Sequence, residues 1–298
     1  MSLVVARKFG NDLIILSDTK LSSATGGASS PHQGIIKCKI LRSQLAIGWA
    51  GNPHFAERAL TDPPISENLT QITNYFCSHH IQSKTPDGTY GTDFLIGSTR
   101  SRTKLIVIKD GFAGDGQENA WIGSHPAFDH YQRVYHSREL SRSVNQIARM
   151  CYHPNGAKFT GEQYNRMTDA FMEVIESSNF PEVGDFRVPL LCSQGIFRYG
   201  IYTDNAGRPL PFLLSHGGVT LNMGQPSRGD YTISFGASSS NLIGFYFYEG
   251  AVGLVFNGQA GDIIKSDGVL RNISDDDFLK YMESRSKSPY FTQVRPAY

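Results

Sequence analysis

Long hydrophobic stretches are missing from this sequence. No apolar run approaches the ~18 residues that a membrane-crossing helix requires, so no transmembrane helix and no membrane partner are expected. No basic segment followed by an apolar core opens the chain, so no secretory signal peptide is read there. Cysteine is scarce: Cys38, Cys77, Cys151 and Cys192 are scattered without CxxC spacing. That excludes a disulfide framework and reads as buried, reduced thiols in a cytoplasmic protein. Excess charge of one sign is also lacking. Lys+Arg 28 against Asp+Glu 27 leaves +1, and no basic patch is interleaved with aromatics, so nucleic acid is not an expected partner. There is no HxxxH or HExxH, and His79 and His80 are neighbours on a helix end pointing different ways, so no metal site is read. The glycine-rich stretch Gly111-Phe112-Ala113-Gly114-Asp115-Gly116 lacks the strand-to-helix setting of a nucleotide loop. It reads as a hairpin turn, and no cofactor is expected.

What the chain does have is a core: 298 residues at 40% hydrophobic content suffice for one large domain or slightly more. Val- and Ile-rich runs flank the turn at Gly10-Asn11 and predict a hairpin that begins at the N-terminus. Residues 21–34, rich in Ser and Gly, predict a loop, and Ile35 to Ile47 a second strand pair. Asn52-Pro53 caps a predicted helix to about Leu60, and helical spacing recurs over Ile65 to His80. Strands are expected over Gly91–Gly97, Thr103–Lys109 and Ala120–Ile122. Helices follow over Pro126–Arg138, Ser141–Tyr152 and Thr160–Ser177, then strands from Val183 and over Ile196–Tyr202. The order suits two sheets between helix layers. Beyond about Thr203 the composition shifts toward Gly, Ser and Asn with short β-type runs, ending in a helix over 273–284 and a tail from Lys287. Residues 1–203 are therefore assigned to one domain and 204–298 to a β-rich C-terminal extension.

Chemistry concentrates near the start. Ser2 follows the initiator Met; removing Met1 leaves its hydroxyl beside its own α-amine, whose ordinary pKa of about 7.7–8.0 suits a base for its own nucleophile. Asp18 closes the second predicted strand, Lys37 opens the third, and Ala50-Gly51 ends the fourth; Gly123-Ser124 follows a later strand. In this order and spacing the chain resembles proteasome β-type subunits of the N-terminal-nucleophile (Ntn) hydrolases, closest in style to the bacterial HslV-type peptidases. The resemblance spans about residues 2–125, with weaker agreement to about 203. It implies an α+β fold, the four-layer αββα Ntn-hydrolase sandwich, and a threonine/serine-type peptidase that cuts peptides or unfolded proteins. A ring of identical subunits is implied as well, and any unfolding ATPase would be a separate protein.

On that resemblance Ser2 is the nucleophile, and Lys37 is the cation that favours its deprotonated form, with Asp18 as the partner a buried lysine needs. Lys39 shares a strand face with Lys37, but the Lys37-to-Ala50 interval fits the family without a gap. Gly51 is the oxyanion donor. Ser124 orients the α-amine; with Pro126 it also suits a helix N-cap. Substrate pairs along Leu21-Ser22 and Gly51 as an added strand. Trp49, before Ala50-Gly51, falls at the base of the side-chain pocket, which predicts a preference for small side chains, shifted by Lys39 toward acidic ones. The family's further acidic residue has its nearest counterpart in Glu182, one or two positions out of register. Two other readings share the fold: a non-catalytic scaffold subunit, and an Ntn amidase acting on a small molecule.

Overall fold

The computed structural model describes residues 2–18, 20, 37–116, 118–137, 161–184, 187–199, 213–216, 219–222, 231–237, 240–247, 252–257, 266–271 and 273–286. In chain order the first part contains β1 (Leu3–Phe9), β2 (Asp12–Asp18), β3 (Cys38–Arg42), β4 (Leu45–Gly51), α1 (Pro53–Thr61) and α2 (Leu69–Gln82). It continues through β5 (Thr92–Ser98), β6 (Lys104–Lys109), β7 (Phe112–Asp115), β8 (Asn119–Gly123), α3 (His125–His136), α4 (Gly161–Glu176), β9 (Arg187–Ser193) and β10 (Ile196–Tyr199). The strands make two five-stranded antiparallel sheets, β10-β9-β2-β1-β8 and β3-β4-β5-β6-β7, so the fold is mixed α+β.

In the first sheet Leu13, Ile14, Ile15 and Leu16 of β2 are all buried. A strand covered on both faces has no solvent side to alternate with, which is why the run is continuous. One cover is the second sheet: a Cβ at Gly97 of β5 would meet Ile15 Cδ1 at 3.1 Å, and one at Gly48 of β4 would meet Val4 Cγ1 at 2.8 Å. On the other side Arg7 of β1 lays its guanidinium 3.9 Å from the ring centre of Tyr135 on α3, and α3 packs along α4. The second sheet turns Ile47, Trp49, Phe94, Ile96 and Ile108 into a cluster with Ala56, Ala59 and Leu60 of α1 and Ile72 and Phe76 of α2. Burying one such large side chain contributes roughly 1.5–3 kcal/mol, so this cluster anchors both helices.

The structure shifts several expected boundaries. The helix predicted from Ile65 begins at Leu69, because the Asn68 side chain accepts the Thr70 N–H and caps it there. The turn predicted over 111–116 is confined to Asp110-Gly111, and Phe112–Asp115 pairs with β6 as an exposed edge strand. The strand expected from Val183 starts at Arg187, opposite Asp18. The loop expected over 21–34, the helix over 141–152 and the tail from Lys287 lie outside the described residues.

The chain divides into two compact units, the first built on 1–140 and 153–198 and the second on 199–260 and 264–298 with 141–152. In the second, β11 (Leu213–His216) and β12 (Val219–Asn222) form a ribbon. The strands β13 (Tyr231–Ala237), β14 (Ser240–Phe247), β15 (Val252–Asn257) and β16 (Ser266–Arg271) form an antiparallel meander, with α5 (Asp275–Ser286) against β14. Among the described residues no helix is long and apolar enough to cross a membrane, and no cluster of three His, Cys, Asp or Glu is placed to hold a metal.

Candidate functional site

Antiparallel pairing brings one set of strand ends together: the start of β1, the end of β2, the end of β8 and the start of β9 in the first sheet, and the start of β3, the end of β4 and the start of β5 in the second. Ser2, Asp18, Lys37, Gly51 and Ser124 stand at or beside these ends.

Asp18 is the centre of the cluster. It is completely buried, and so is Lys37. Lys37 Nζ donates to Asp18 Oδ2 at 2.7 Å and also to the Lys20 carbonyl. The other carboxylate oxygen, Oδ1, accepts the Leu3 N–H at 3.0 Å, while the Lys20 N–H reaches Oδ2 at 3.2 Å. One carboxylate thus ties the lysine of the second sheet to the peptide that directly follows Ser2. Two charges removed from water are stable only when their remaining hydrogen-bonding capacity is met, and here backbone groups meet it. The Lys37 carbonyl accepts the Trp49 N–H at 2.8 Å, which fixes the lysine's backbone to β4.

Ser2 is 2% exposed. Its carbonyl accepts the Ser124 N–H at 2.8 Å. Gly123, immediately before, has φ +98°, and a Cβ there would stand 2.0 Å from the Ser2 oxygen, so a side chain is excluded on both grounds. Ser124 occupies the N-cap position of α3, yet its hydroxyl makes no cap bond; it donates to Glu182 Oε1 at 2.6 Å. The amide of Ser124, rather than its hydroxyl, is what holds residue 2. Glu182, one or two positions out of register in the sequence, is therefore brought to Ser124.

Gly51 ends β4 exposed, with φ +119°, and a Cβ would meet the Gly91 oxygen at 2.2 Å. The next residue, Asn52, caps α1 through its side chain. Lys39 pairs with Ile47, so it and Trp49 lie on the face of the second sheet turned toward α1. The indole of Trp49 is 1% exposed and belongs to the helix-facing cluster. Lys39 is nearly buried; desolvation holds its ammonium below the ordinary lysine range, and the Glu57 carboxylate on α1 opposes that shift. Leu21 and Ser22 lie outside the described residues. The backbone donors of Leu3, Lys20 and Ser124 carry no residue-type signal, so sequence reasoning had no means of finding them. No family model matches the chain, and no curated protein matches it either.

Proposed function

We propose that this chain is a proteasome-like Ntn hydrolase of the αββα type, cutting peptide bonds with Ser2 after Met1 is removed. The observation that carries the reading is the Asp18 carboxylate, which takes the Lys37 ammonium on one oxygen and the amide beside Ser2 on the other. The two facing sheets, with α1 and α2 on one and α3 and α4 against the other, support the same assignment.

In the proposed reaction the freed α-amine of Ser2 takes the proton from Oγ, and the oxygen attacks the scissile carbonyl. The Lys37 charge favours the alkoxide. The Gly51 N–H donates to the developing oxyanion, an interaction worth roughly 2.7–4 kcal/mol where measured. Collapse breaks the C–N bond, and the α-ammonium returns the proton to the departing amine. Water, deprotonated by the same α-amine, then releases the acyl group. The Glu182–Ser124 bond steadies the start of α3 and, through the Ser124 amide, the carbonyl of Ser2. Lys39 and Trp49 make small or acidic side chains the preferred ones before the cut. A closed ring of identical subunits is the assembly that accompanies this reading.

Intact-mass measurement of the purified N-terminus, paired with a fluorogenic peptide panel on wild type and Ser2→Ala, tests it. The expected result is a Ser2 terminus and turnover abolished by Ser2→Ala. Retained Met1, or equal turnover by the two proteins, removes the peptidase mechanism and leaves a scaffold. Cleavage of simple amides in place of peptides would move the reading to a small-molecule amidase.

A further inference from the structure

The buried His80 of α2 has no part in the reaction above, yet its bonds lead to Gly51. We propose that His80 is a positioning residue for the Gly51 turn, acting through Thr92; its catalytic relevance rests on the peptidase reading, but its structural action does not.

The path is continuous. His80 is 0% exposed, at the C-terminal end of α2. Its Nε2 accepts the Gly111 N–H at 2.9 Å, so that nitrogen carries no proton. The proton of the neutral ring is on Nδ1, 2.6 Å from the Thr92 carbonyl. Thr92 is held a second time by the same helix end, since its N–H donates to Ser83 Oγ at 3.1 Å and that hydroxyl donates to the His80 carbonyl at 2.7 Å. Thr92 in turn grips the turn at Gly51: its Oγ1 donates to the Asn52 carbonyl at 2.9 Å, and the Asn52 N–H donates to the carbonyl of Gly91 at 2.6 Å. Gly51 pairs with Thr92 across β4 and β5, with backbone so close that a Cβ would stand 2.9 Å from the Thr92 Cα. Helix end, strand start and turn are thereby locked in one register.

The ring's other neighbours keep it in this tautomer. Tyr90 stacks on it with centroids 4.3 Å apart, and Lys84 lies over the Tyr90 ring. Asp93 Oδ1 is 3.7 Å from Nδ1, farther than the Thr92 oxygen, and Asp110 contributes a second negative charge from the β6–β7 turn. Burial holds the imidazole below its ordinary pKa, against the pull of Thr92 and Asp110.

Two substitutions separate the arms of the ring. Asn at position 80 keeps an amide donor where Nδ1 stands, and Gln keeps an acceptor where Nε2 stands. On the full chain, peptide-resolved amide exchange over 49–56 and 108–115 is compared for wild type, His80→Asn, His80→Gln and Thr92→Val, with urea unfolding to match global stability. His80→Gln and Thr92→Val are expected to speed exchange at Asn52, whose N–H is bonded to Gly91, about tenfold, whereas His80→Asn speeds it mainly at Gly111. With Ser2-dependent turnover in hand, His80→Gln also lowers kcat about tenfold with KM little changed, and His80→Asn restores it. Wild-type exchange at Asn52 in both His80→Gln and Thr92→Val overturns the proposal, as do equal effects of the Asn and Gln variants. Should neither His80 variant fold, the Thr92→Val result decides alone. Loss of the peptidase reading shows separately, as turnover unaffected by Ser2→Ala.

Discussion

The two facing sheets of the first unit have polar residues at both ends, and the ends are put to different use. At one, Thr103 Oγ1 donates to the Asn11 carbonyl at 2.6 Å and Thr99 Oγ1 to the Gly195 carbonyl at 2.9 Å, while Phe197 N–H meets the Ser43 carbonyl at 2.7 Å. Hydroxyls tie turns together there, and one carboxyl, Asp12 at the start of β2, is buried beside them. At the other end Asp18 and Lys37 are carried into the interior as a pair, with three backbone amides around the carboxylate at 3.0, 3.2 and 3.5 Å. A hydroxyl on a carbonyl is a fastening with little chemical reach. A buried cation beside the first strand costs desolvation, which its carboxylate partner and further hydrogen bonds must offset. Polar residues at a sheet end, even a buried carboxyl such as Asp12, therefore distinguish the two ends less well than the buried Asp18–Lys37 ion pair does.

The sharpest way to break the comparison is Asp18→Ala. It strands the Lys37 ammonium in the interior and is expected to lower unfolding free energy by about 3–5 kcal/mol, read from urea denaturation. Next comes Glu182→Ala, which leaves the Ser124 hydroxyl without its acceptor and should cost about 1–3 kcal/mol; Glu182→Gln, keeping an acceptor, should stay near wild type.

Asp93→Asn should act in the opposite direction. Burial pushes the Asp93 carboxyl up to about 6, opposed by Lys109, reinforced by Asp110 and opposed again by the Gly123 amide. A carboxyl raised in the folded state favours folding at a pH below the ordinary 3.8, and that contribution is lost as pH climbs through 6. Asparagine is spared the charge, so urea unfolding at pH 7.5 should show a gain of about 2 kcal/mol that vanishes below pH 4. The smallest effect is expected at the far end: Thr103→Val should cost about 1 kcal/mol and leave any Ser2-dependent turnover unchanged. A turnover loss there as large as at Asp18 would erase the distinction between the ends.

Much of the first unit was legible in the sequence because its elements announce themselves locally. The Gly10-Asn11 turn, the Asn52-Pro53 cap and the Val- and Ile-rich runs need only their own neighbours. Asp18 and Lys37 stood out through the order and spacing in which the chain resembles the Ntn hydrolases, not through anything local to either residue. Glu182 was named only through the resemblance and out of register, and its partner was not legible: the glutamate stands between α4 and β9, where spacing is not tied to a helical or strand period, and Ser124 is far away in sequence. His80 falls on the Ile72–Phe76 face of α2 by helical spacing while its neighbour His79 is half-buried, but nothing local shows which groups the His80 ring bonds. Ser124 looked like a cap, and only the fold shows its hydroxyl turned to another acceptor.

The glycines Gly48 and Gly97 have a wider effect than their neighbourhoods suggest. Their bare backbones set the gauge between the two sheets, as a washer left out lets two plates close. Asp18 rides on one plate and Lys37 on the other, so the reach of that lysine is fixed by two absent side chains. Any residue wedged in at Gly48 would press on Val4 and draw Lys37 away from Asp18 without touching either.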